Sequence, residues 1–99
     1  MELREQCADE AVAAQTLPTE VVANLKHRIA DIRAADSMEE VIAGKPRQGT
    51  YNGEECYFID LGRSHELTLV QAHVEPRRTA DGALDWSRTR RVKVVSLKP

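Results

Sequence analysis

The stretch CYFIDLGRSHELTLVQAHV, residues 56–74, decides the fold of this chain. Its first six residues (56–61) are mostly apolar or aromatic, which favours a β-strand. The tripeptide GRS (62–64) then predicts a tight turn, and ELTLVQAHV (66–74) predicts a second strand antiparallel to the first. The phase of the apolar residues slips at Leu69–Val70. We therefore expect either a β-bulge or burial of both faces at that point.

The segments on either side of this hairpin extend the pattern. Residues 75–88 form a long polar connection containing Asp81-Gly82, and RRVKVVSL (90–97) predicts a third strand. Upstream, residues 44–53 are rich in glycine and proline, and we expect a loop there.

The first part of the chain has helical periodicity. Residues 2–14 are strong helix formers with apolar side chains about every four residues. Residues 19–35 carry one apolar face at helical spacing, and Ser37 with Glu40 forms a capping box that opens a short helix ending near Ala43. Because helices precede strands, we predict an α+β fold. Its architecture is an N-terminal helical hairpin packed on a small twisted antiparallel β-sheet.

Length and composition limit the class of protein. The 99 residues form one domain with one core, and 41% hydrophobic with 30% charged residues is a soluble globular balance. No apolar run is long enough to span a bilayer and no secretory signal pattern is present, so we expect a cytoplasmic location. Cys7 and Cys56 are then expected as unpaired thiols, and neither has a neighbour at zinc-ligand spacing.

The charge distribution is uneven along the chain. The formal net charge of −2 excludes a uniformly basic nucleic-acid binder, but residues 75–99 carry seven basic and three acidic side chains, a net charge of +4. Such a basic end can face phosphate or an acidic partner. A solvated strand face without a ligand is the alternative explanation.

Three motifs in a fixed order suggest a family. They are RAADS (33–37), FIDLG (58–62) and DGALDWS (81–87), after a helix-rich start. In this order they resemble the RelE/HigB-like toxins of bacterial type II toxin–antitoxin systems, most closely the killer and plasmid-maintenance subgroup. The resemblance implies a single domain over residues 1–99 and metal-independent endoribonuclease cleavage of messenger RNA, often on the ribosome. It also implies no cofactor, a cognate antitoxin as partner, and a homodimer as a further option.

The implied reaction is attack of a ribose 2′-hydroxyl on the adjacent phosphate. Without a metal it needs a general base, a general acid and cations from the protein itself. The catalytic candidates are two imidazoles and one cation near the central hairpin: His65, Arg63 and His73. The RNA-binding candidates are cations of the basic end and its one indole: Arg77, Arg78, Arg90 and Trp86.

Each candidate also has a purely structural explanation. His65 fits an exposed turn histidine, His73 a half-buried sheet residue, and the arginines fit solubility. Trp86 fits a large aromatic that anchors the long connection by burial. His27, on a predicted helix, fits a surface or a packing residue.

The chain departs from the family pattern at the reactive positions. His65 stands where the family has Tyr, and Glu66 stands where it has the phosphate-stabilising Arg. Glu54 and Glu55 replace two further cations in a turn that we expect to be solvated. The strand that precedes the first helix in the family is expected to be missing, because Met1 begins at the predicted helix. These departures predict a degenerate active site.

Two other functions stay open at this point. One is a catalytically inactive relative that keeps a protein-interaction surface along the sheet edge or the helices. The other is a nucleic-acid-binding module that uses the basic end alone.

Overall fold

The computed structural model describes residues 1–4, 18–63 and 65–98. Its elements follow one another along the chain as strands and helices: β1 (Glu2–Arg4), α1 (Thr19–Ala34), β2 (Arg47–Tyr51), β3 (Glu54–Leu61), β4 (His65–Gln71) and β5 (Arg91–Lys98). Two short 3-10 helices, Met38–Glu40 and Trp86–Arg88, lie in the connections before β2 and before β5.

The strands form one mixed sheet in the order β1-β5-β4-β3-β2. The pairs β2–β3, β3–β4 and β4–β5 are antiparallel. Strand β1 runs parallel to β5, with Glu2 opposite Arg91 and Leu3 opposite Val92. The last strand is therefore internal, between β4 and the first strand.

The predicted N-terminal helical hairpin on an antiparallel sheet is wrong. Residues 2–4 form a strand, and the described part of the chain has one α-helix beside a five-stranded mixed sheet. The rest of the first predicted helix, residues 5–14, lies outside the described residues. Helix propensity failed at residues 2–4 because their pairing partner, β5, lies at the other end of the chain, and tertiary contacts override local propensity. The strand expected to be missing before the helices is therefore present.

The prediction of a loop over residues 44–53 is wrong for its second half. Residues 47–51 form β2, which is joined to β3 by Asn52 (φ 51°) and Gly53 (φ 80°). Positive φ at both central residues is the requirement of a type I′ hairpin turn, and Asn-Gly meets it best.

The predicted hairpin over residues 56–74 and the predicted third strand over residues 90–97 are confirmed. Strands β3 and β4 pair from Cys56–Val70 to Leu61–His65, and β5 begins at Arg91. The expected bulge is also confirmed, since the β4–β5 register shifts between Thr68 and Leu69. Residues 67–70 are all buried, so both faces of β4 are covered there as well.

Helix α1 confirms the second predicted helix and covers one face of the sheet. Its residues Val21, Leu25 and Ile32 are buried and belong to the core. Burial of a side chain such as Ile32 contributes about 1.5–3 kcal/mol. The sheet contributes the apolar residues on the same side: Leu3, Tyr57, Ile59, Leu61, Leu67, Leu69, Val92, Val94 and Leu97.

The short helix predicted at the capping box is one 3-10 turn. The Ser37 side chain makes no capping hydrogen bond, and Glu40 Oε2 instead accepts the main-chain N–H of Asp36 at 3.0 Å. Just before it, the amino group of Met1 donates to the carbonyl oxygens of Arg33 (2.8 Å) and Ala35 (2.6 Å). A positive group at the end of α1 is favourable because carbonyl oxygens there carry partial negative charge.

Candidate functional site

The strongest candidate site lies where β4 ends and β5 begins. Beyond Gln71, the main-chain N–H of Ala72 donates to the carbonyl of Arg91 at 2.7 Å, and the N–H of His73 donates to Gln71 Oε1 at 2.7 Å. These two bonds fix the direction in which the chain leaves the sheet. They place the half-buried ring of His73 against the start of β5.

The ring of His73 holds the chain just before β5. Its Nε2 accepts the main-chain N–H of Arg90 at 2.9 Å. A neutral imidazole that accepts at Nε2 carries its proton on Nδ1. Burial lowers the pKa of His73, and the positive charges of Arg91 and Arg77 lower that pKa further. His73 is therefore neutral at pH 7.

Arginine side chains surround this histidine. A cavity of about 260 Å³ is lined by His73, Arg77, Arg88 and Arg90, and no carboxylate lines it among the described residues. We call it the arginine cavity. A larger cavity of about 850 Å³ adjoins it, sharing the same residues except Arg88, and is also lined by acidic side chains. The arginine cavity is the part of this surface with uniformly positive charge, which suits an anion.

The long connection brings Arg77 and Arg88 to the same place through its main chain. The N–H of Asp85 donates to the carbonyl of Arg77 at 2.9 Å, and the N–H of Arg88 donates to the carbonyl of Asp85 at 3.1 Å. Asp85 Oδ1 also accepts the N–H of Ser87 at 3.1 Å and so caps the second 3-10 helix. The two arginines are therefore adjacent because Asp85 links their segments.

The DGALDWS segment, the most specific part of the resemblance, is used for folding. Asp81 accepts from the hydroxyl of Thr79 and from the N–H of Ala83, and these bonds lower the pKa of Asp81. The N–H of Leu84 donates to Glu55 Oε2 at 3.1 Å. The motif thus closes the connection and docks it on β3.

Trp86 anchors the connection rather than offering its ring to solvent. It is 5% exposed, and its ring meets that of Tyr57 edge-on at a centroid distance of 4.7 Å. Such a buried indole fits the loop-anchoring alternative, since stacking on a base needs an open ring face.

The other RNA-binding candidates divide into two groups. Arg77 and Arg90 line the arginine cavity together. Arg78 points elsewhere, with its Nη1 at 3.0 Å from the carbonyl of Gly82 and 3.5 Å from Glu55 Oε2. Its contacts hold the connection in place.

The catalytic candidates are not brought together. Arg63 and His65 lie at the β3–β4 turn, whereas His73 follows the opposite end of β4. A strand of this length separates its two ends by about 20 Å. One phosphate cannot contact all three side chains, and the described residues do not place a base, an acid and a cation from this set at one point.

Two of the acidic residues that stand at the cation positions of the resembled family have hydrogen-bond or ion-pair partners within the protein. Arg47 Nη2 lies 2.8 Å from Glu66 Oε2 and 2.9 Å from Asp60 Oδ1, so Glu66 belongs to an ion-pair network on β2, β3 and β4. The pKa of Arg47 is raised, mainly by its hydrogen bond to Asp60. Glu55, expected in a solvated turn, lies in β3 and accepts from Leu84. The prediction of a turn is wrong for both Glu54 and Glu55, which lie in β3, whereas Glu54 is exposed as predicted.

Sequence reasoning missed Arg88 and Arg91 as members of the site surface. Arg88 lines the arginine cavity, and Arg91 lines the adjoining one and pairs with Glu2 at 3.2 Å. The net charge of the last quarter was the only signal for Arg88. Its position depends on hydrogen bonds of the Asp85 main chain that no residue pattern encodes.

For cysteines, metal sites and membrane spans, the structure gives information on the described residues only. Cys56 is free and buried, and burial is the largest cause of the raised pKa of its thiol, whereas Cys7 lies outside the described residues. Within residues 1–4, 18–63 and 65–98, no group of three or more His, Cys, Asp or Glu lies together as a metal site would. In the same residues no helix has the length and apolar character needed to cross a bilayer.

Comparison with models of known protein families, with curated proteins and with solved structures found no match. The function of this chain is therefore inferred from the arginine cavity and from the motifs of its sequence.

Proposed function

We propose that this protein binds RNA through its backbone phosphates and that the arginine cavity is the binding site. The observation that carries the proposal is the convergence of Arg77, Arg88 and Arg90 with neutral His73 on one cavity. Guanidinium groups pair with phosphate oxygens through two parallel N–H donors. Three such groups supply enough donors for one phosphate and its neighbour along a strand.

The resemblance to RelE/HigB-like toxins supports messenger RNA as the ligand. On this basis we propose that the chain is the toxin component of a type II toxin–antitoxin system, acting in the cytoplasm with a cognate antitoxin as partner. We propose that its active site for metal-independent cleavage of RNA is degenerate. Arg63 and His65 lie far from the arginine cavity, and Glu66 stands in the position of the family's cation.

A second candidate is a catalytically inactive toxin-like protein that acts as a protein-interaction module. The use of the DGALDWS segment for folding, rather than for a reactive cluster, favours this candidate. The two proposals differ in whether RNA is bound at all.

Binding of a fluorescein-labelled single-stranded RNA, measured by anisotropy at several salt concentrations, tests the first proposal. Arg88→Ala and Arg90→Ala should each weaken binding and reduce the slope of log K against log salt by about 0.7 for each phosphate that is no longer neutralised. Lys26→Ala removes one exposed charge on α1 and is the matched control, which should bind like wild type. An equal decrease in affinity for all three variants would contradict a specific site.

Cleavage and partner binding are measured separately. The wild-type chain is incubated with labelled messenger RNA, with and without ribosomes, and the products are separated on a gel. RNA binding without cleavage would support a degenerate toxin. Co-purification with the product of an adjacent gene, in the absence of any RNA binding, would favour the interaction module.

A further inference from the structure

The hydrogen bond between His73 and Arg90 stands in the wall of the arginine cavity. The ring of His73 lines the cavity, and its Nε2 is occupied by the main-chain N–H of Arg90 at 2.9 Å. In this state neither the Nε2 lone pair nor the Arg90 N–H is available to a ligand. The guanidinium groups then offer donors to an anion without help from the Arg90 N–H or from Nε2.

Protonation of the ring changes what this pair offers. An imidazolium ion is a donor at both nitrogens, so Nε2 can no longer accept the Arg90 N–H. Two donors then face the same region from atoms that are 2.9 Å apart in the neutral state. One anionic oxygen can accept from both, as oxyanions do from convergent N–H groups.

We propose that binding of a phosphodiester in the arginine cavity is coupled to uptake of one proton by Nε2 of His73. This inference rests on the proposed RNA binding and names a regulation of that same site. The bound oxygen accepts from the new Nε2–H and from the released N–H of Arg90. Arg77 and Arg88 contact the remaining phosphate oxygens.

The charges around His73 determine the direction of the coupling. Arg77 on the connection, Arg90 before β5 and Arg91 on β5 all oppose a positive ring, and Glu2 on β1 favours it. Arg88, Glu75, Asp36 and Met1, which carries the positive amino group, are the other charged residues that line the two cavities. Burial of the ring, and then the excess of arginines over the one acid that acts on it, keep the ring neutral in the free protein. A bound phosphate cancels their positive charge and so favours the imidazolium.

Thermodynamic linkage converts this difference into a pH dependence of binding. If the anion raises the pKa of His73, binding takes up a proton and becomes tighter as the pH falls. The affinity should rise by up to about tenfold for each unit by which binding raises that pKa.

The test is anisotropy with a tetramethylrhodamine-labelled oligouridine, whose label does not titrate in this range, at constant salt from about pH 8 to about pH 5.5, a window in which histidine is the titrating side chain. Phosphodiesters and uracil keep their charge over this range, so the ligand does not contribute. Wild type should bind more tightly as the pH falls. His73→Gln keeps an acceptor for the Arg90 N–H but cannot be protonated, and its affinity should be independent of pH. His27 and His65 remain in this variant and control for the other imidazoles.

Calorimetry of the wild type in two buffers with different ionisation enthalpies measures the proton uptake directly and does not depend on the variant. Uptake approaching one proton near neutral to mildly acidic pH is expected. Binding that does not change with pH, or a pH dependence that His73→Gln retains, would overturn the coupling and leave the RNA-binding proposal standing. Absence of binding at every pH would overturn both.

Discussion

Replacement of Glu55 by alanine should loosen the whole long connection. The carboxylate of Glu55 accepts the N–H of Leu84 at 3.1 Å and lies 3.5 Å from Arg78 Nη1. A hydrogen bond to a charged group contributes about 1.5–3 kcal/mol. The exposed pair with Arg78 adds little, since such pairs contribute about 0–1 kcal/mol. Because Glu55 is partly exposed and water can take the place of its carboxylate, we expect Glu55→Ala to cost about 1–2 kcal/mol of unfolding free energy.

Urea unfolding followed by circular dichroism measures this cost, and a thermal melt should show a decrease of about 4–8 °C per kcal/mol for a domain of this size. Glu54→Ala is the matched control, because Glu54 is the exposed neighbour at the start of β3. Glu55→Gln keeps an acceptor and should be destabilised less than Glu55→Ala. The same carboxylate docks the segment that carries Arg77 and Arg88, so Glu55→Ala should also weaken RNA binding. Equal stability of the Glu54 and Glu55 alanine variants would refute the reasoning.

Three further predictions concern the anchor, the histidine and the type I′ turn. Trp86→Ala should cost about 3–5 kcal/mol of unfolding free energy, which urea titration followed by circular dichroism measures because the variant has no Trp left. In the wild type, the fluorescence emission of Trp86 should shift to longer wavelength on unfolding. Because the pKa of His73 is lowered in the folded protein, the unfolded chain binds more protons than the folded one. The unfolding free energy should therefore decrease as the pH falls below about 6.5. Urea titrations at two pH values should show a smaller decrease for His73→Gln than for the wild type. Gly53→Ala should cost about 1–2 kcal/mol through its positive φ alone, because a Cβ there meets no atom within 4 Å; a thermal melt without a shift would contradict this.

The parts of the fold that could be predicted are those with a local pattern. Helix α1 and the β3–β4 hairpin were predicted because their apolar side chains repeat at the period of the element that buries them. Strand β1 could not be found in this way. Three residues are too few to show an alternation, and their partner β5 is far along the chain. Residues 47–51 had a usable signal in the Asn52-Gly53 dipeptide, which is typical of a hairpin as well as of a loop.

The candidate site was predictable to a smaller extent. The positive charge of the last quarter pointed to Arg77 and Arg90, and both line the arginine cavity. The inclusion of Arg88 and the exclusion of Arg78 depend on main-chain hydrogen bonds at Asp85 and on the partner of Arg78. Patterns of residue types do not carry that information. The roles of Arg63, His65 and His73 in catalysis stay predictions.

The internal position of β5 has a consequence for how the molecule is made. The sheet order places β5 between β4 and β1. Strand β1 therefore has no strand to pair with until β5, residues 91–98, has paired with β4. Assembly of this edge requires contact between segments separated by nearly the full length of the chain, and such long loops close slowly. We therefore expect slow refolding, in which closure of the edge between β1 and β5 limits the rate at which the surface that carries the arginines is completed.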